Sequence, residues 1–179
     1  MKADYHMHTS FSNDSDSSPE EMIQAAIRKG LKTICITDHH ELDYIEPGWE
    51  IDLEEYHNML REVQEKYRTQ IEILAGLECG MQLQVSEQYA ELVRGYSYDF
   101  ILASVHLFDR YDPYYPGYFD DKTDEEGYRR AFEITLDNVK KHLKFCIIFS
   151  TILCGVDYSL TKLKSIIIDA VKAKIFIKS

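Results

Sequence analysis

No stretch of the 179-residue chain stays apolar for the ~20 residues that a membrane-spanning helix requires; the most apolar run, residues 145–156, is broken by Ser150 and Thr151. Cysteine is sparse, and the four present (Cys35, Cys79, Cys146 and Cys154) lack the paired spacing of a structural zinc site. There are 8 glycines, and no glycine-rich loop follows any strand-like run, which argues against a nucleotide-binding crevice. Positive charge is in deficit: 20 Lys and Arg stand against 31 Asp and Glu, for a net charge of -11. Such a chain repels nucleic acid and anionic lipid at long range, so neither is an expected partner. An anionic substrate would need a local positive centre, such as bound metal. No apolar leader follows Met1-Lys2-Ala3-Asp4, and the expected setting is the reducing cytoplasm, with Cys35 and Cys146 as small core residues.

Hydrophobic residues make up 45% of the chain, enough for a real core, and the length suits one domain. Strand-like and helical patterns alternate. Residues 4–9 read as a short strand, and Ser18-Pro19-Glu20-Glu21 as a helix start with Ser18 capping and Pro19 at the first position. That helix ends at Gly30. Strands are expected at 33–37, 72–77, 100–105 and 145–153, and helices at 53–68, 86–94, 124–142 and 160–174. Strand and helix in alternation imply parallel strands joined by crossovers, either as an open sheet or as a barrel. Residues 112–118 form a rigid aromatic loop expected near the mouth of a site. Residues 146–179 differ in character, with five Lys, two Asp and no His, Glu or Arg.

Five of the seven histidines (His6, His8, His39, His40, His106) fall on or directly after these strands. His6 and His8 are two apart, so on a strand both rings point one way. Asp14 follows in a loop, Asp38-His39-His40-Glu41 follows the second strand, Glu78 closes the third and His106 closes the fourth. In parallel βα architectures the carboxyl ends of the strands share one rim, and imidazole with carboxylate suits zinc, manganese or iron. Asp38 is read as orienting His39 or touching metal, and His40 as supporting its neighbour. His57 and His142 sit inside helices, away from the cluster. Arg110 is either a phosphate contact or a surface arginine.

These segments resemble the PHP (polymerase and histidinol phosphatase) family. Asp4-Tyr5-His6-Met7-His8-Thr9 with Ser12 and Asp14 is similar to its first motif, Ile36-Thr37-Asp38-His39 to the second, Gly76-Leu77-Glu78-Cys79-Gly80 to the third, and Ala103-Ser104-Val105-His106 to the fourth. The opening and the Ser-Val-His segment look most like the histidinol-phosphatase branch. The resemblance implies a distorted barrel of seven βα units with a trinuclear metal centre, hydrolysing L-histidinol phosphate in histidine biosynthesis. It implies that His6, His8 and Glu78 hold one metal, that Glu78 and His106 serve a second, and that Asp14 and His39 serve a third. His6, His8, Glu78, His106 and Asp38 form the implied catalytic set. Clustered divalent metals would acidify a water for attack on phosphorus and neutralise the phosphate.

The family pattern is not continued throughout. Leu153-Cys154-Gly155-Val156-Asp157-Tyr158 stands where a Gly-His-x-Asp-Tyr segment belongs, and no histidine follows His142. The expectation is a single domain, with motifs in 1–145 and an atypical tail in 146–179, folded as a barrel incomplete at its C-terminal end. The apolar 166–168 and 175–177 runs would cover the open side or pair with a second copy of the chain. Two other functions compete with the phosphatase: a degenerate module that binds metal or a protein without turnover, and a phosphatase of another small phosphorylated substrate.

Overall fold

The computed structural model describes residues 2–142 and 148–150. The expected helix at 160–174, the 153–158 segment and the apolar tail runs lie outside the described residues.

All strands among the described residues run parallel. The elements are β1 (Ala3–Asp4), α1 (Pro19–Arg28), β2 (Thr33–Ile36), β3 (His39–His40), α2 (Leu53–Tyr67), β4 (Glu72–Gly80), a 3-10 turn (Leu83–Val85), α3 (Ser86–Gly95), β5 (Phe100–Ser104), α4 (Asp124–His142) and β6 (Ile148–Ser150). The sheet order is β1-β2-β4-β5-β6, with β3 also paired to β4. β4 is the spine. Its first half pairs with β2, from Thr33 opposite Glu72 to Ile36 opposite Ala75. Its second half pairs with β3, His39 opposite Glu78, and with β5, from Gly76 opposite Phe100 to Gly80 opposite Ser104. The result is a parallel, helix-covered part-barrel that does not close among the described residues.

Local chemistry explains the elements. Ser18 and Glu21 form a reciprocal capping box at the start of α1, with Pro19 in the first turn. Asp52 caps α2 by accepting the Glu55 N–H. α2 buries Tyr56, Leu60, Val63 and Tyr67, one helical face at the expected spacing. These side chains join Ile34, Ile36, Leu77 and Met81 in the core. β4 is buried over most of its length, as a parallel strand covered on both faces must be.

One expectation is corrected. The first strand is only Ala3–Asp4, not residues 4–9. Beyond Asp4 the chain keeps contact with its neighbour through Met7 and Thr37, whose N–H donates to the Met7 carbonyl at 2.8 Å, while the Met7 N–H donates to Thr37 Oγ1. A side-chain oxygen replaces one ladder partner, and regular pairing stops there. Directly after the second strand, where the sequence places them, His39 and His40 form a further short strand, β3. Tyr56 from α2 holds the break between β2 and β3. Its hydroxyl lies 3.1 Å from the Ile36 carbonyl and 2.9 Å from that of Gly76, and it accepts the Asp38 N–H at 3.3 Å. Gly76 allows this crowding, because a Cβ there would sit 2.5 Å from Cys35 Sγ.

Candidate metal centre

The parallel register delivers polar side chains to one end of the sheet. Glu78 sits within β4 and is fully buried, a position tolerable for a carboxylate only with partners. His6 Nε2 lies 2.8 Å and His8 Nε2 2.9 Å from the same oxygen, Glu78 Oε2. Ser104 Oγ, at the end of β5, donates to Glu78 Oε1 at 2.5 Å. His8 Nδ1 lies 3.0 Å from Asp14 Oδ2, and His39 Nε2 is 3.6 Å from the same oxygen. His106 follows β5 and places Nε2 3.2 Å from Glu78 Oε1, an ion-pair contact rather than an aligned hydrogen bond.

All six predicted ligands (His6, His8, Asp14, His39, Glu78 and His106) therefore meet. With Glu41 they form three overlapping groups: His6–His8–Glu78, His8–Asp14–His39 and His39–Glu41–His106. Within each group the candidate ligand atoms lie within 4.8 Å of one another. The donor set is imidazole plus carboxylate, which suits a borderline divalent cation. The buried His106 Nε2 makes no aligned hydrogen bond to any described residue, so it is available to an ion.

The electrostatics fit the same reading. Burial works hardest against the charged form of Glu78, yet His106, His6, His8 and His39 together hold its carboxyl far below the usual range. Burial also opposes the proton on His8, but Asp14 and Glu78 outweigh it and raise the ring to about 9. His106 is likewise pulled up against desolvation, by Glu41 and Glu78, to about 10. Asp14 is held low chiefly by its bonds to His39 and His8. Without metal, protons occupy the positive role in this cluster of carboxylates, and a divalent cation can replace them.

Two predicted residues are not brought into the cluster. Asp38 is fully buried, but its carboxylate turns to the 9–12 segment. It accepts the Thr9 N–H at 2.5 Å, the Thr9 hydroxyl at 2.8 Å and the Ser12 hydroxyl at 2.9 Å. Ser12 Oγ in turn accepts the His39 N–H at 2.8 Å. Asp38 thus ties the His6–Asp14 segment to β3 and supports His39 through the backbone, rather than touching a ligand atom. Arg110 is exposed and pairs with Asp43 at 2.9 Å, so it is read as a surface arginine. His40 supports the loop beyond β3, its Nδ1 accepting the Ile51 N–H at 3.1 Å. His57 packs between Tyr96 and Tyr98, away from the cluster.

Sequence reasoning missed Glu41. It stands next to His39 and His40, and its signal was a glutamate directly after a strand-end His-His pair.

His8, Asp14, His39, Glu41 and His106 of the cluster form the floor of a cavity of about 490 Å³. Its walls come from two loops: Tyr44, Glu46 and Trp49 on one side, and Asp112, Pro113, Tyr114 and Tyr115 on the other. A hydrogen bond from Tyr44 Oη to Asp112 Oδ2 joins the loops. The aromatic 112–118 loop therefore lies at the mouth, as its composition indicated. Among the described residues the lining includes acids and aromatics but no Lys or Arg.

Comparison with known proteins gives concordant results. A family model described as PHP domain matches residues 4–172. A histidinol-phosphatase of Lactococcus lactis is 31% identical over 140 residues, which is 78% of this chain and 52% of that protein. A probable histidinol-phosphatase of Clostridium acetobutylicum is 32% identical over 143 residues, 79% of this chain and 54% of that protein. The chain thus spans about half the length of the curated relatives it matches. A crystal structure of histidinol phosphate phosphatase from Lactococcus lactis, complexed with zinc, L-histidinol and phosphate, superposes with a TM-score of 0.86 at 26% identity. That match covers 96% of this chain and 68% of the other. Part-barrel, motif order and family match coincide along the same stretch of sequence, and on that ground the chain belongs to the PHP domain family.

Proposed function

We propose that this chain carries the metal centre of a divalent-metal-dependent phosphomonoester hydrolase that converts L-histidinol phosphate and water to L-histidinol and phosphate, a cytoplasmic step of histidine biosynthesis. The observation that carries the reading is the convergence of four imidazoles and three carboxylates in one cluster, of which His8, Asp14, His39, Glu41 and His106 face one cavity. His6, His8 and Glu78 would hold one ion, Asp14 and His39 a second, and His106 with Glu78 a third. Zinc is the first choice because the Lactococcus lactis structure contains it, with manganese and iron compatible with the same ligands. Bound divalent ions of this kind supply positive charge to a phosphate and lower the pKa of bound water.

The chain's own residues do the rest. Buried Glu78 is shared by His6, His8 and His106, so it fixes the spacing of the whole cluster. Ser104 holds its second oxygen, limiting rotation of the carboxylate. The cavity walls suit the organic part of such a substrate. Glu46 and Asp112 favour a cationic group, and Trp49, Tyr44, Tyr114 and Tyr115 offer aromatic faces to it. The Trp49 indole N–H has no acceptor among the described residues and can donate to a ligand.

The test is phosphate release from L-histidinol phosphate by metal-stripped protein reconstituted with zinc or manganese. His8→Ala and Glu78→Ala are expected to abolish release, since each removes a ligand. Turnover that survives both substitutions, or survives a chelator, refutes the assignment. A second reading, a module that binds metal without turnover, is favoured by Val156 standing where the family places a histidine. Full metal loading with no phosphate release would establish that alternative.

A further inference from the structure

An ionised carboxylate only accepts hydrogen bonds, so an imidazole nitrogen that bonds to it must carry the proton. Glu41 Oε1 lies 3.0 Å from His39 Nδ1 and 2.6 Å from His106 Nδ1. One oxygen therefore sets the tautomer of both rings. Each neutral ring is left with its lone pair on Nε2, the atom that faces the other candidate ligands. His106 Nε2 is 3.2 Å from Glu78 Oε1, and His39 Nε2 is 3.6 Å from Asp14 Oδ2 and 3.9 Å from Glu78 Oε2.

The glutamate is itself held on several sides. It is only 2% exposed. Its carboxylate occupies the space above Gly80 in β4, where a Cβ would fall 1.4 Å from Glu41 Oε2. Only glycine leaves that cradle open. Its N–H donates to the Trp49 carbonyl at 2.9 Å. Tyr89 of α3 pins the residues on either side: its hydroxyl donates to the His40 carbonyl at 2.6 Å and accepts the Leu42 N–H at 2.9 Å. Oε1 is thus shared by two N–H groups, while Oε2 lies against the β4 backbone at Gly80.

We propose that Glu41 is a positioning residue, a single buried carboxylate that fixes the orientation and tautomer of both His39 and His106 so that each presents Nε2 to a divalent metal. Carboxylates behind ligating histidines raise their basicity and hold their rings; here one such group serves two ligands from different strands. The inference rests on the metal-centre reading above and adds a role that the six sequence-derived ligands leave unfilled.

The test uses zinc alone, titrated into the metal-stripped full chain against a competing chelator. Glu41→Gln removes the charge. Gly80→Ala keeps the charge but displaces the carboxylate, whose far end can swing away from the new methyl. Both variants are expected to bind as many zinc ions as the wild type, with the affinity of the affected step reduced about 10- to 100-fold. In the zinc-loaded wild type, ring 15N spectra should show His39 and His106 protonated at Nδ1 and metal-bound at Nε2. Loss of a whole zinc equivalent in Glu41→Gln would make Glu41 a ligand and overturn the proposal. Unchanged affinity in both variants, or Nδ1 bound to zinc in the wild type, would overturn it equally. Thermal melts check that each variant folds, and the wild-type spectrum decides the matter if neither does. A wild type that binds no zinc defeats the metal-centre reading itself, whereas normal binding with indifferent variants defeats only the role of Glu41.

Discussion

Removing the Asp38 side chain separates a support from a ligand. Asp38→Ala deletes the acceptor of three hydrogen bonds, from the Thr9 N–H and from the Thr9 and Ser12 hydroxyls. Each such bond is worth about 1 kcal/mol net, and a buried donor left unpaired costs about 1–3 kcal/mol. The hydroxyls can rotate to other acceptors, and a water can enter the space left behind, but the Thr9 N–H is fixed. The sum is about 3–5 kcal/mol, a large share of the ~5–15 kcal/mol that holds a typical domain together. At about 2–4 °C per kcal/mol for a chain of this size, the melting midpoint should fall by roughly 6–20 °C. Asp38→Asn should cost much less. Its Oδ1 can keep the Thr9 N–H and the Ser12 hydroxyl while its Nδ2 donates to Thr9 Oγ1. Thermal unfolding followed by circular dichroism gives the stability, and zinc titration of the same samples gives the stoichiometry. A support predicts an Asn variant with full zinc stoichiometry and a near-normal midpoint. An Asn variant that melts normally but loses one zinc would show that Asp38 is a ligand and refute the reasoning.

The cavity wall and the buried His57 give two more expectations. Glu46→Gln should raise KM for L-histidinol phosphate about 2- to 5-fold, the effect of losing up to about 1 kcal/mol of attraction, and leave unaltered the hydrolysis of an aryl phosphate whose organic group carries no cation; equal damage to both substrates would count against a cation-selecting wall. Burial, then the nearby Arg61, lowers the pKa of His57 in the fold, so the unfolded chain takes up the proton first as pH falls. The neutral ring's stabilising contribution is complete above about pH 6.5 and is lost as pH drops through that value towards the lower folded one. His57→Phe keeps a ring against Tyr96 and should flatten the stability profile below about pH 6.5, by at most about 1.4 kcal/mol per pH unit; an identical acid limb in both proteins would refute the assignment.

Much of this architecture was legible because it depends on local pattern. Ser18, Pro19 and Glu21 define a helix start by short-range bonding alone. Tyr56, Leu60, Val63 and Tyr67 repeat at helical spacing and are buried as that spacing requires. The ligands were legible for a different reason. His6, His39, Glu78 and His106 are each tied to a strand or strand end, and parallel strands share a rim, so separate one-dimensional positions implied one three-dimensional place. The limits of the elements were less legible. β1 stops at Asp4 because Thr37 supplies a side-chain oxygen to the Met7 N–H, a competition that no periodicity in residues 4–9 reveals.

What escaped were residues whose roles depend on contacts distant in sequence. Asp38 and Glu41 flank the same two histidines, and both are buried acids. Spacing alone made Asp38 the natural partner of His39. The structure reverses this, because what matters is the direction each carboxylate takes. Asp38 lies in the break between β2 and β3 and turns to Thr9 and Ser12. Glu41 follows β3 and turns to Nδ1 of His39 and His106. That direction is set by a glycine 39 positions away and by a tyrosine on α3. Neither Gly80 nor Tyr89 carries a metal-binding signature, yet together they decide which acid reaches the centre. A sequence can therefore display the ligands of such a site while concealing the groups that aim them, since ligands must be of a few chemical types and supports need only be the right shape in the right place.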